Sequence, residues 1–189
     1  MRFALFLIPL CLLAVVLQLG VFPAFMPRVL QPDVGMLLAI PVLAFAQRSH
    51  GLIAVFALGV QADLFGSGRF GLLTLCYMLA AGLILWAAWR ELTRGDLLTP
   101  WVACVAGSLV ANLLYVILGR VVFGLQIPYG VAFANIGCLT LAAGVWGLFS
   151  AWFCGKVMYS FGLLSPVVQE HWSVEERIAA ARRGKVMRA

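Results

Sequence analysis

Apolar residues in this chain come in long, almost unbroken runs, a pattern that belongs to helices surrounded by hydrocarbon and not to helices with one wet face. Four runs, Phe3 to Phe22, Phe70 to Trp89, Trp101 to Phe123 and Gly130 to Val157, reach the about 20 residues that a helix needs to cross a bilayer core of about 30 Å. Two shorter runs, Val34 to Ala46 and Leu52 to Phe65, lie between the first and second of these and are separated by QRSHG. At about 1.5 Å per residue each reaches only about 20 Å. They are therefore either short spans shielded from lipid by longer neighbours or one re-entrant hairpin. The hairpin carries Arg48 toward the membrane centre at a cost of about 2.5 to 3.5 kcal/mol, which favours six spans. Pro41 interrupts the first short run and deprives the helix of a donor, so a neighbouring helix or side chain must satisfy the freed carbonyl.

Composition agrees with this pattern. With 64% hydrophobic and 11% charged residues among 189 and a mean hydropathy of +1.05, the chain lacks the polar surface to cover a water-soluble globule. The expected fold is an all-α polytopic membrane protein of about six transmembrane helices in a compact bundle. Residues 1–165 form the bundle and residues 166–189 a basic cytoplasmic tail. The apolar run at Phe3 exceeds a signal-peptide core and is read as a retained span. Under six spans, Arg2, Arg48, Arg90, Arg94, Lys156 and all five cations of the tail fall on one side, against Arg28, Arg69 and Arg120 on the other. The positive-inside rule then places both termini in the cytoplasm.

The chemistry-bearing residues are sparse. Five cysteines lie in separate apolar runs without metal-ligand spacing, which suits small core hydrophobes. His50 and His171 lie in a short turn and in the tail. There is no HExxH, GxSxG or Walker lysine, and the seven acidic residues include no cluster suited to magnesium. The expectation is a protein that is not an enzyme and uses no cofactor or metal. Within the runs stand Gln18, Gln61, Asn112, Asn135 and Arg120, and polar groups at membrane depth mark pathways or pockets. These support an alternative function as a small-molecule-binding subunit of a transporter.

One region has a recognisable order. Pro32 and Asp33 enter the first short run, Arg48 and Gly51 mark the turn, and Gly59, Asp63, Leu64, Gly66, Gly68 and Gly71 lead into the next long run. This order, with the chain length and the span count, resembles the rod shape-determining membrane protein family MreD. The resemblance implies a non-enzymatic component of the cell-elongation complex that supports peptidoglycan synthesis and cell shape. It also implies MreC as partner, joint action with MreB, RodA and its partner transpeptidase, no nucleic acid, and a fold similar to substrate-binding subunits of energy-coupling-factor transporters. That last similarity concerns the fold and does not confer transport.

Physical roles for these residues follow from their types. Gly66, Gly68 and Gly71 permit a sharp turn. The Asp63 carboxylate can accept from amides at the start of the following helix, pair with Arg69 or Arg120, or face a partner. A capping role predicts a mild Asp63→Asn, since an amide oxygen still accepts. Ala143, Gly147, Ala151 and Gly155 form a small-residue ridge suited to close helix packing, within the chain or against a partner's helix. In the tail, Ser173 and Glu176 form a capping box for a helix from Val174 to Arg183. Residues 169–189 carry side-chain charge +2, which attracts anionic lipid at about 1 kcal/mol per cation near the surface and offers a site for MreB.

Overall fold

The computed structural model describes residues 2–26, 31–65, 70–92, 98–122, 124–126, 128–166 and 168–169. The tail helix expected after Val174, and Gly66, Gly68 and Arg69, lie outside the described residues.

Nearly all of the described chain is helical. The first helical unit runs from α1 (Arg2–Val16) through one π-helical turn (Leu17–Val21) into α2 (Phe22–Phe25). It is followed by α3 (Val34–Phe45), α4 (Arg48–Phe65), α5 (Leu72–Leu92), α6 (Leu98–Val121) and α7 (Tyr129–Ser160). Among the described residues, three stretches are long and apolar enough to cross a membrane: Phe3–Phe25, Leu98–Val121 and Tyr129–Ser160. Many large apolar side chains face outward, among them Trp86, Val145 and Phe25. A water-soluble chain cannot afford that exposure and a lipid-facing one needs it.

The short α3 is the centre of the molecule. All of its residues but Gly35 are buried, and it packs against α4, α6 and α7. At 12 residues it is about 18 Å long, too short to meet lipid at both faces. Its uniform apolarity therefore reflects contact with protein on every side. The loop to α4 is shorter than the sequence suggests. The helix resumes at Arg48 rather than Leu52, so the polar QRSHG stretch is mostly the first turn of α4. Close approach of the pair is permitted at Gly51, where an added Cβ would lie 2.8 Å from the Leu43 Cα.

Pro41 sits inside α3 and leaves the Leu37 carbonyl without its helical donor. Ser150 of α7 supplies the replacement, its Oγ donating to the Leu37 oxygen at 2.6 Å in a fully buried contact. The far end of α3 is closed by the chain beyond α7. Gly162, at φ +64°, turns the backbone so that the Ser165 amide donates to the Phe45 carbonyl at 2.8 Å.

The small-residue ridge of α7 faces inward. Ala143, Gly147, Ala151 and Gly155 are all buried. An added Cβ at Gly147 would lie 3.2 Å from the Cys104 Cβ on α6, and one turn earlier Trp101 Nε1 donates to the Gly144 carbonyl at 2.7 Å. At Gly147 the ridge packs against α6. All five cysteines are free, with Cys76, Cys104 and Cys154 buried among apolar neighbours.

Candidate functional site

Both aspartates of the motif region bond to the first turns of α5. Asp63, near the C-terminal end of α4, is 7% exposed. Its Oδ1 accepts from the Leu73 amide at 2.9 Å, and its Oδ2 accepts from the Thr74 amide at 2.9 Å and from the Thr74 hydroxyl. The first amides of a helix have no partner within the helix. A carboxylate brought from the preceding helix satisfies two of them and meets the positive end of the helix dipole.

This contact requires α4 and α5 to touch. One turn earlier on α4, Gly59 makes that possible, because a Cβ there would stand 2.9 Å from the Thr74 Cα. Gly71, at φ +91°, admits the chain to α5 through a conformation that side chains disfavour. Gly59, Asp63 and Gly71 therefore form one device that sets the angle of the α4–α5 corner.

Asp33 works on α5 one turn further along. It is the N-cap of α3, its Oδ1 accepting from the Met36 amide at 3.3 Å, and the same oxygen accepts from the Tyr77 hydroxyl. Pro32 lies buried directly before it. Gly35 leaves room for the phenol, since a Cβ would lie 2.8 Å from the Tyr77 hydroxyl oxygen. A further free amide of α3, that of Val34, donates at 3.0 Å to the Gln18 Oε1. Gln18 stands in the π-helical turn Leu17–Val21.

These capped helix ends surround a partly open cavity of about 690 Å³, whose polar lining includes Gln18, Gln31, Asp33, Gln61, Tyr77 and Asn112. Leu58, Phe65, Leu73 and Leu139 supply apolar wall. Gln31 Nε2 donates to the Met26 carbonyl at 3.1 Å, and Asn112 Nδ2 donates to the Ser108 carbonyl at 2.7 Å. The Gln61 Oε1 is buried and, among the described residues, has no hydrogen-bond partner.

The structure separates the polar residues that the sequence had grouped together. Gln18, Gln61 and Asn112 meet at the cavity, whereas Asn135 is exposed on α7. Arg120 stacks its guanidinium 3.6 Å from the Tyr129 ring centroid, and His50 stacks on Phe3 at 4.4 Å. Each of Asp63's oxygens is engaged by the start of α5, so the helix-cap role is the one this geometry displays. The expectation of a mild Asp63→Asn needs correction. Both oxygens accept from amides, and asparagine offers only one oxygen.

In the sequence Thr74, Tyr77 and Ser150 stand out only as members of apolar runs. Their hydroxyls were the available signal, since a buried hydroxyl seeks a partner, and Thr74 and Tyr77 are spaced to lie on one helix face. Comparison with protein-family models, curated proteins and solved structures finds no match to this chain.

Proposed function

We propose that this chain is a multi-pass component of the machinery that elongates rod-shaped bacterial cells, of the MreD type. It holds MreC and helps organise MreB, RodA and the partner transpeptidase, without catalysis of its own. In this reading the bundle crosses the inner membrane six times with both termini in the cytoplasm. The short α3 crosses at the centre because its neighbours, not lipid, cover it.

The observation that carries the reading is the use made of the motif. Asp33, Gly59, Asp63 and Gly71, residues on which the resemblance rests, all act on the two first turns of α5. They lock α3, α4 and α5 at fixed angles. A scaffold needs a rigid surface more than a reactive group, and this arrangement spends its carboxylates on rigidity.

The test is affinity purification of the tagged full chain from its native membranes, together with depletion in growing cells. Recovery of MreC and rounding of the cells are expected. Purification without MreC from cells that make it normally, or normal shape after deletion, overturns the proposal. Recovery of an ATPase instead would point to the transporter-subunit alternative.

A further inference from the structure

The cavity beside the N-terminus of α3 has the features of a ligand site, and the rod-machinery reading neither requires nor supplies one. Its volume of about 690 Å³ falls in the range of about 300 to 1,000 Å³ typical of small-molecule sites. Its walls combine apolar side chains from α4, α5 and α7 with a few amides and a carboxylate. That is the usual division between groups that bury a ligand's body and groups that orient its head.

Two observations narrow the chemistry. First, Gln61 lines the cavity while its Oε1 is buried without a donor among the described residues. An unpaired buried acceptor is costly, and native proteins keep few of them. The last torsion of this side chain is soft, and a donor bound in the cavity would reach the oxygen after a half-turn of the amide. Second, among the described residues no lysine, arginine or histidine lines the cavity, and the one carboxylic acid that does is Asp33. Among the described residues an anion placed here would meet a carboxyl group with no counter-charge, whereas a neutral or cationic head would not.

We propose that this cavity binds an amphipathic molecule with a neutral or cationic head that donates hydrogen bonds, such as a hydroxyl or a primary ammonium, with Gln61 as the acceptor. The apolar wall takes the body of the molecule and Asn112, on the facing α6, borders the head. Membrane lipid and a water-soluble metabolite can both present this chemistry.

The test uses the full chain in phosphatidylcholine nanodiscs, because phosphatidylcholine has no hydrogen-bond donor. Thermal stability is followed on adding mono-oleoylglycerol, octylamine or dioleoylphosphatidic acid. The first two are expected to raise the midpoint and the anionic lipid is not. Native mass spectrometry of protein taken directly from membranes then separates the two sources, since a retained lipid and a retained soluble metabolite differ in mass. Gln61→Met, which keeps the length and removes the amide, should leave the midpoint of the empty protein unchanged or raised. It should also weaken mono-oleoylglycerol binding by about fivefold to tenfold. A stability loss in Gln61→Met with unchanged binding would show that the amide is structural and overturn the assignment. So would equal stabilisation by all three probes, or by none of them with no retained molecule.

Discussion

Replacing Ser150 by alanine tests the central claim about how α3 tolerates its proline. In the native protein the Leu37 carbonyl has lost its helical donor to Pro41 and accepts from the Ser150 hydroxyl at 2.6 Å. Ser150 is 6% exposed and Leu37 also 6%, so water cannot readily take over. An acceptor stranded in a soluble core costs about 1 to 3 kcal/mol. Between membrane helices measured couplings are smaller, averaging about 0.6 and reaching about 1.7 kcal/mol, because the disassembled state also finds partners. This carbonyl lies inside a helix that is covered on every side, which places it toward the upper end, and Ser150→Ala should cost about 1 to 1.7 kcal/mol.

The diagnostic is the double mutant. Pro41→Ala restores an amide that can bond the Leu37 carbonyl within α3, so in that background Ser150→Ala should cost less by about 1 kcal/mol. The packing change at position 41 is common to both arms of the cycle and cancels. Reversible unfolding in dodecyl maltoside with added dodecyl sulfate, followed by circular dichroism, gives the four stabilities. Additive costs, within about 0.3 kcal/mol, would refute the assignment of Ser150 as the replacement donor.

At the α4–α5 corner, Asp63→Asn should be clearly destabilising, by about 1 to 3 kcal/mol in the same assay, because one of its two amide donors would face an NH₂ group. A fully stable Asp63→Asn would contradict the two-oxygen cap. The two close-approach glycines should rank in a definite order. Gly59→Ala meets the Thr74 Cα at 2.9 Å, backbone that cannot swing aside, and should cost about 1 to 3 kcal/mol. Gly35→Ala meets the end of the Tyr77 side chain and should cost less, with altered tyrosine fluorescence as the phenol leaves Asp33. A Gly35→Ala more harmful than Gly59→Ala would contradict this ordering.

What the sequence determined by itself is whatever depends on a residue and its near neighbours. Uninterrupted apolar runs dictate helices in an apolar medium, since no other local structure satisfies every backbone donor there. Pro41 dictates that one carbonyl be satisfied from outside the helix. The identity of the partners was settled only by tertiary structure. Nothing near Pro41 in the chain names Ser150 as the donor, and a sequence that points Asp63 at the start of the next helix does not single out Leu73 and Thr74 as its donors. These pairs arise from the angles at which whole helices cross, and those angles follow from the summed packing of many side chains. The length of α3 has the same origin. Its apolarity was legible, yet a central position covered by protein is a property of the helices around it. The cavity is the extreme case, because Gln18, Gln61 and Asn112 come from three helices and only their assembly encloses a volume.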